Sequence, residues 1–333
     1  MPVLVTGASG FLGGRLVQML AGEGEQVVVL ARPTSDLRQL SQLPKDQVRF
    51  VFGALTEREA VAEAVREATH IFHCAAASTD WAGLDVYFQS NVKGTEILLE
   101  EARKSQRLER FVHVSTTDVY GYPTVPCAET GPVLDVGLPY NRTKIFAEQS
   151  VWRRWREEGL PVTVVRPATI YGPRGKAFVT DIAELLRTRQ MAYIGGGRAR
   201  GGFLYVDNAV DALILAARTP EARGQVYNLT DGTEATWRQY VTALAAGLGY
   251  RPPWIDLPYR GAMTLAAAME APYRLFGRLP GRPLLTRHAV YLLGRDQEFP
   301  SDKARREFGF ASRIPFEDGI ARSVAWLQDS KAD

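Results

Sequence analysis

The stretch VLVTGASGFLGGRL, residues 3–16, decides the fold. It begins as an apolar, strand-like run, passes through a glycine-rich turn and continues with apolar residues at helical spacing. Gly7, Gly10 and Gly13 are spaced G-x-x-G-x-x-G. In such a turn the first glycine permits the bend, the second admits a pyrophosphate and the third lets the helix pack on the strand. Because the helix N-terminus attracts phosphates, the stretch predicts a dinucleotide-binding first strand.

Outward from this turn, the first half of the chain alternates short apolar runs with helix-like stretches. The predicted strands span residues 3–6, 26–31, 48–52, 70–75, 110–115 and 161–166. This alternation predicts an α/β fold with a doubly wound parallel sheet and helices on both faces. One helix is expected to start at Thr56, since Glu59 three residues later completes a capping-box pattern.

After residue 166 the alternation weakens. Two further strands are predicted at residues 203–206 and 225–229, and from about residue 233 the chain reads as mostly helical and broken by prolines. We therefore expect a nucleotide-binding domain over residues 1–172, to which residues 203–232 return. Residues 173–202 and 233–330 are expected to form a smaller, mostly helical C-terminal substrate lobe, in which apolar residues such as Trp254, Leu275 and Phe276 could line a pocket.

Composition excludes several classes of function. The 333 residues carry a net charge of +3 with scattered basic residues, which is no footprint for nucleic acid. Four scattered histidines and two cysteines predict neither a metal site nor a disulfide framework. No apolar run approaches the roughly 20 residues that span a bilayer. We expect a cytoplasmic protein without an integral membrane segment, acting on a small molecule.

The sequence PYNRTK places Tyr140 and Lys144 on one face of a helix. A phenol with a pKa near 10 is a poor acid–base at neutral pH unless a nearby cation stabilises its phenolate. Lys144 can supply that charge. Upstream, the strand-like run 110–114 ends in three hydroxyl residues, Ser115, Thr116 and Thr117.

Together these motifs resemble the extended short-chain dehydrogenase/reductase family over nearly the whole chain. The motifs that carry the resemblance are TGASGFLG (6–13), HCAAA (73–77), NVKGT (91–95), VSTTDVYG (114–121), YNRTK (140–144), VVRPATIYGPR (164–174) and FLYVDNAVDA (203–212). The resemblance implies a Rossmann-type domain, an NAD(P) cofactor and a homodimer built on helices near 91–106 and 140–158. It also assigns catalytic roles to Thr116, Tyr140 and Lys144.

Binding residues follow from the glycine turn and the resemblance. The expected cofactor contacts are Gly7, Ser9, Gly10, Phe11, Leu12, Gly13, Arg32, Ser35, Leu55, Ala75, Ala76, Ala77, Asn91, Lys144, Pro167, Ala168 and Thr169. The expected substrate contacts are Ser78, Trp81, Thr116, Thr117, Tyr140 and Thr169.

The end of the second strand bears on the cofactor. An acid there suits the ribose 2′-hydroxyl of NAD, whereas an arginine suits the 2′-phosphate of NADP. This chain has Arg32 and Ser35 with no acid before Asp36, so NADP(H) is favoured and NAD(H) stays possible. After the third strand, Gly53-Ala54-Leu55 departs from the Gly-Asp-Leu of many family members, so adenine recognition must rest on other groups.

Three chemistries compete within the family. Sugar-nucleotide dehydratases resemble STDEVYG, but here Thr117 replaces the first acid of that pair, and Asp118 reads as a turn residue. Epimerases resemble RYFNVYGPR and carry an arginine at the place of Gly201, whereas this chain has Thr169 in RPATIYGPR and an arginine one step off, Arg200. The best fit is the branch of 3β-hydroxysteroid dehydrogenases and dihydroflavonol reductases, which implies hydride exchange with a bulky apolar ketone or secondary alcohol. A non-catalytic NADP-binding sensor or scaffold is a further alternative.

Overall fold

The computed structural model describes residues 2–276 and 280–330. Its strands are β1 (Pro2–Thr6), β2 (Gln26–Ala31), β3 (Val48–Phe52), β4 (His70–His73), β5 (Arg110–Val114), β6 (Val162–Pro167), β7 (Thr169–Tyr171), β8 (Ala192–Ile194), β9 (Phe203–Tyr205), β10 (Gln225–Leu229) and β11 (Ile255–Leu257). Its α-helices are α1 (Phe11–Gly22), α2 (Arg58–Val65), α3 (Leu84–Tyr87), α4 (Gly94–Lys104), α5 (Pro139–Glu158), α6 (Asp181–Arg187), α7 (Val206–Arg218), α8 (Trp237–Gly247), α9 (Tyr259–Phe276), α10 (Arg287–Gly294), α11 (Asp302–Phe308) and α12 (Phe316–Asp329).

A seven-stranded sheet with the order β10-β6-β5-β4-β1-β2-β3 lies at the centre of the protein. Every neighbouring pair in it is parallel. The chain builds the sheet outward from β1 to β3, then returns to β4 and continues to β10 on the other side. Ligands of such sheets bind at the carboxyl ends of the strands beside this reversal, which here lies between β1 and β4. The predicted doubly wound parallel sheet is confirmed.

Helices cover both faces of the sheet, which explains why its strands read as nearly continuous apolar runs. On one face, α1 and α7 contribute Leu16 and Leu213 to a core that includes alternate residues of β1 and β2. On the other face, α4 and α5 contribute Leu98 and Val151 to a second core. Because both faces are buried, the sheet is a rigid base on which the strand ends hold their loops.

The later strands divide between two places. β10 joins the central sheet beside β6, whereas β9 pairs with β7, and β11 with β8, in separate two-stranded sheets. Around β7 and β9 an aromatic core includes Phe203 stacked on Tyr240 of α8 at 4.6 Å. The division into two lobes remains a prediction, and residues 277–279 of the expected substrate lobe lie outside the described ranges.

The predicted capping box is wrong. Helix α2 begins at Arg58, its N-cap is Glu57, and no side chain caps it. The carbonyl oxygen of Glu57 accepts the bond from the amide of Val61 at 3.1 Å, so Thr56 lies before the cap position. Helix ends are the part of an element that a residue pattern fixes least closely.

No helix in residues 2–276 and 280–330 combines the length and the apolar character needed to cross a membrane.

Candidate active site

The glycine turn closes directly against the next strand of the reversal. Gly7 has a φ of +74°, and a Cβ built on it would lie 2.6 Å from the backbone nitrogen of Ala75, just after β4. A Cβ on Gly13 would lie 2.4 Å from the carbonyl oxygen of Gly7. Gly10 is the N-cap of α1 and no side chain caps this helix. The turn therefore leaves backbone space and unpaired N–H groups that fit the pyrophosphate of a dinucleotide.

The other expected cofactor residues lie at the same edge of the sheet. Asn91 sits in a π-helical turn before α4, where its Oδ1 accepts from the amide of Ala77 at 2.7 Å. Its Nδ2 donates to the hydroxyl of Thr143 on α5 at 3.2 Å, so it ties the loop after β4 to that helix. Ser9 is exposed. The remaining residues flank the turn, follow β3 and β4, or lie where β6 ends and β7 begins: Phe11, Leu12, Leu55, Ala76, Pro167, Ala168 and Thr169.

Arg32 and Ser35 occupy one exposed turn at the carboxyl end of β2. The amide of Ser35 donates to the carbonyl of Arg32 at 2.9 Å, which holds the two side chains on the same loop. Asp36 is paired with Arg38 at 2.7 Å. Hydrogen bonds from Arg38 lower the pKa of the Asp36 carboxyl to about 2. The nearest acid in the sequence, Asp36, is thus already engaged by Arg38.

Thr116, Tyr140 and Lys144 come together beyond the end of β5. The Thr116 Oγ1 accepts from the Asp118 amide at 3.2 Å and caps the short 3₁₀ turn 117–120. Tyr140 lies in the first turn of α5, and Lys144 follows one turn later. The Lys144 Nζ donates to the Val114 carbonyl at 2.7 Å, which leaves two of its three N–H donors for other partners.

The protonation of this group is set by burial and by neighbouring charge. Burial raises the pKa of the Tyr140 phenol, the Asp118 carboxylate raises it further, and a hydrogen bond from Thr116 lowers it. Tyr140 therefore carries its proton at neutral pH in the free protein. Burial lowers the pKa of Lys144 to about 8, against the opposing effect of Glu148.

Ser115 takes part in a buried network behind the site rather than in the site itself. Its hydroxyl donates to Glu148 Oε2 at 2.7 Å, and the guanidinium of Arg166 binds the same carboxylate. Arg166 also donates to the Tyr120 hydroxyl at 2.7 Å. This network fixes the end of β5, and with it Thr116, against α5 and β6.

Two residues have contacts at the site that the sequence analysis did not predict. Asp118 closes the 3₁₀ turn as expected, but it is also buried, and its Oδ2 lies 2.9 Å from Nε2 of His288 on α10. The ring of His288 stacks on that of Tyr140 at 5.7 Å. The one available signal was that His288 is the histidine lying outside the predicted strands, and nothing in the sequence links it to Asp118.

The surroundings of Tyr140 and of the expected substrate contacts differ in burial and in neighbours. The ring of Tyr87 lies 6.2 Å from that of Tyr140, and Trp81 meets Tyr273 of α9 edge-on at 5.9 Å. Thr117 is buried beside Thr116, whereas Ser78 is exposed.

Three residues that were expected to line a pocket in the C-terminal part are largely exposed. The exposed fractions of Trp254, Leu275 and Phe276 are 74%, 79% and 71%, so these residues are not part of the buried core. Among the residues that the structure describes, no group of histidine, cysteine and acidic side chains is arranged to hold a metal.

Comparison with known proteins agrees with this geometry. Residues 3–230 match the model of the NAD dependent epimerase/dehydratase family. The chain is 33% identical over 323 residues to a 4-hydroxy-2-methyl-3-oxo-4-farnesyl-3,4-dihydroquinoline-1-oxide ketoreductase of Stigmatella aurantiaca, covering 96% of this chain and 95% of that protein. It is 32% identical over 336 residues to a 2-alkyl-3-oxoalkanoate reductase of Stenotrophomonas maltophilia, covering 98% and 99%.

Among solved structures, MoeE5 in complex with UDP-glucose and NAD superposes with a TM-score of 0.77 at 25% identity, covering 99% of this chain and 100% of that one. The resemblance to extended short-chain dehydrogenases/reductases is confirmed, and with it a nicotinamide cofactor and an NAD(P)-dependent oxidoreductase. The glycine turn, the strand order and the matched relatives lead to one conclusion: the chain belongs to the NAD dependent epimerase/dehydratase family.

Proposed function

We propose that the protein moves a hydride between NADP(H) and a secondary alcohol or ketone of a bulky, largely apolar substrate. The observation that carries this proposal is the meeting of Thr116, Tyr140 and Lys144 at the carboxyl edge of the sheet, beside the glycine turn. The names of the two curated relatives describe a farnesylated ring ketone and an alkylated 3-oxo acid, which supports a large apolar substrate.

The nicotinamide, when bound, supplies or accepts the hydride. Thr116 and Tyr140 bind the substrate oxygen, and Tyr140 gives its proton to that oxygen during reduction. Lys144 carries the positive charge that lowers the cost of the resulting phenolate and binds the cofactor ribose. Proton transfer by a positioned side chain of this kind typically contributes about 10²–10⁴-fold to the rate.

The choice of NADP(H) over NAD(H) rests on Arg32 and Ser35, which share an exposed turn where the 2′-phosphate would bind. Arg38 engages Asp36, so the acid that could otherwise repel this phosphate is compensated.

A nucleotide-sugar epimerase or dehydratase is the alternative, and two features disfavour it. Arg200, the arginine nearest to the place where epimerases carry theirs, pairs with Glu298 at 3.2 Å and Glu234 at 3.5 Å. A Cβ on Gly201 would lie 2.2 Å from the ring of Phe203, so that position has no room for an arginine. The sensor or scaffold alternative conflicts with the presence of both Tyr140 and Lys144.

The test is NADPH consumption against a panel of ring ketones and 2-alkyl-3-oxo acids, with UDP-glucose as the competing substrate. We expect the wild-type protein to oxidise NADPH with a ketone, and Tyr140→Phe to lose about 10²–10⁴-fold in turnover while still binding NADPH. Turnover of Tyr140→Phe within a few-fold of wild type, or epimerisation of UDP-glucose without net NADPH consumption, would refute the proposal.

We also propose a homodimer that pairs the outer faces of α4 and α5 with those of a second copy. Phe146 is 41% exposed on this face, next to a groove lined by Val92, Glu96 and Arg153. Light scattering of purified protein tests the homodimer, and Phe146→Glu should shift a dimer to monomer.

The cytoplasmic location stays a prediction, which cell fractionation tests.

A further inference from the structure

His288 brings a titratable ring from the C-terminal part of the chain to the proposed acid–base Tyr140. Its Nε2 lies 2.9 Å from the Asp118 Oδ2, and its ring stacks on the Tyr140 ring at 5.7 Å with an interplanar angle of 23°. His288 and Asp118 are 7% and 6% exposed. The His288 ring therefore packs against Tyr140 on one side and contacts the buried Asp118 carboxylate on the other.

Asp118 is held from several directions. Besides His288, the Tyr122 hydroxyl donates to its Oδ2 at 2.9 Å. Its backbone amide donates to Thr116, and its carbonyl accepts from the Asn141 Nδ2 at 2.7 Å. A buried carboxylate is costly unless it is paired and hydrogen-bonded, and His288 and Tyr122 supply the partners of this one.

The charge of Asp118 acts on the reacting groups. It raises the pKa of the Tyr140 phenol, and it also favours the charged form of Lys144. Any group that screens this carboxylate therefore changes how readily Tyr140 releases its proton.

We propose that His288 is a positioning residue for Tyr140, holding and screening the Asp118 carboxylate while covering one face of the phenol ring. The inference rests on the proposed function of Tyr140. With Tyr87 at 6.2 Å and His288 at 5.7 Å, the phenol is confined to one orientation towards Thr116. The C-terminal part of the chain thereby completes the acid–base machinery of the first domain.

Other charged and titratable groups face this pair. Lys144 lies on α5, and Arg295, which follows α10, donates to the Tyr122 carbonyl at 2.6 Å. Tyr291 stacks on Tyr122 at 4.7 Å.

Two acidic side chains from other segments contact the first residues of α10. The Glu270 carboxylate binds Arg287 at 2.9 Å, and Asp80 accepts from the Thr286 hydroxyl at 3.2 Å. Substitutions at His288 and Asp118 leave all of these groups in place, so differences between the variants report on the pair.

The experiment measures ketone reduction by the full-length protein as a function of pH, because the loss of activity at alkaline pH reports the titration of Lys144 and Tyr140, and the Asp118 charge raises the pKa of both. In His288→Phe the ring remains but the carboxylate loses its screening partner, so the alkaline limb should move up by about one pH unit. In Asp118→Asn the charge is absent, so the same limb should move down by about one pH unit. If His288 had a purely structural role, the alkaline limbs of His288→Phe and Asp118→Asn would not move in opposite directions.

Further variants separate the loss of the hydrogen bond to Asp118 from the loss of the ring that stacks on Tyr140. His288→Gln keeps a donor to Asp118 and should show a smaller upward shift, whereas His288→Ala loses the stack as well and should lower kcat roughly 10²-fold. Tyr291→Phe, on the same helix, should leave both kcat and the pH profile unchanged. Thermal unfolding checks that each variant is folded.

The inference is overturned if His288→Phe and His288→Gln both keep the wild-type limb, or if Asp118→Asn moves it in the same direction as His288→Phe. If Tyr140→Phe keeps its turnover, the proposed function itself fails, which is a different outcome.

Discussion

The glycine turn after β1 and the cluster around Tyr140 lie at the same edge of the sheet but are built differently. The turn is closed by backbone contacts over a few residues, such as the Gly10 amide on the Gly7 carbonyl at 2.9 Å. The cluster joins side chains that are far apart in sequence, since His288 and Asp118 are separated by 170 positions. Local backbone geometry therefore prepares the cofactor site, whereas packing between distant segments prepares the chemistry.

If side chains hold the cluster, removing one partner of its buried network should have the largest effect on stability. Glu148 and Arg166 are both 4% exposed, and Glu148→Ala would leave the guanidinium buried without its carboxylate. We expect a loss of about 3–5 kcal/mol in the free energy of unfolding, measured by urea denaturation. Glu158→Ala, which removes the partly exposed ion pairs with Arg103 and Arg154 at the end of the same helix, should cost below about 1 kcal/mol. Equal losses in the two variants would contradict the role given to the network.

The charge of Lys144 should oppose folding while serving catalysis. Its pKa falls from 10.5 to about 8 in the folded protein, so below pH 8 its burial costs about 3 kcal/mol. Between these two values the unfolded chain binds more protons, so the cost fades as the pH rises and is gone above 10.5.

Lys144→Met tests this in urea denaturation at two pH values. The lost hydrogen bond to Val114 costs about 1 kcal/mol, so the variant should be more stable by about 2 kcal/mol at pH 7 and less stable by about 1 kcal/mol above pH 10.5, without turnover. A gain of the same size at both pH values would show that charge is not the cause.

The glycine turn should respond to a single methyl group. A Cβ on Gly13 would lie 2.4 Å from a backbone oxygen, whereas one on Gly22, later in the same helix, would meet nothing within 4 Å. Gly13→Ala should cost about 1–3 kcal/mol in stability and weaken NADPH binding in a fluorescence titration. Gly22→Ala should gain about 0.5–1 kcal/mol and bind normally. Normal NADPH binding by Gly13→Ala would mean that the turn does not form the cofactor site.

The smallest expected effect concerns the exposed end of the cofactor site. Arg32→Asp should move the ratio of kcat/KM for NADPH over NADH by about tenfold towards NADH, equivalent to about 1.4 kcal/mol. Arg38→Asp changes the charge of the same loop by the same amount, yet Arg38 is already bound to Asp36, so its effect should be smaller. Equal shifts in both variants would indicate a general charge effect rather than contact with a 2′-phosphate.

The sequence predicted local features of the fold well, and it predicted packing between distant segments poorly. The strands at residues 26–31 and 48–52 were predicted to the residue. The first is buried on both faces, and such strands are continuous apolar runs bounded by turns. The capping box at Thr56 failed, since a side-chain pattern competes with the backbone turn that makes Glu57 the cap. The outward-facing Trp254 and Phe276 could not be told from core residues, because neither lies in a regular apolar pattern.

The sequence by itself determined the strand–helix alternation from which a parallel sheet follows, the glycine turn and the spacing of Tyr140 and Lys144, because each of these patterns lies within short stretches of chain. Only the tertiary structure decided what surrounds them: that Ser115 belongs to the Glu148 network, and that Asp118 meets His288. Those contacts depend on how α10 packs against the end of β5, and no local spacing in the sequence encodes that distance.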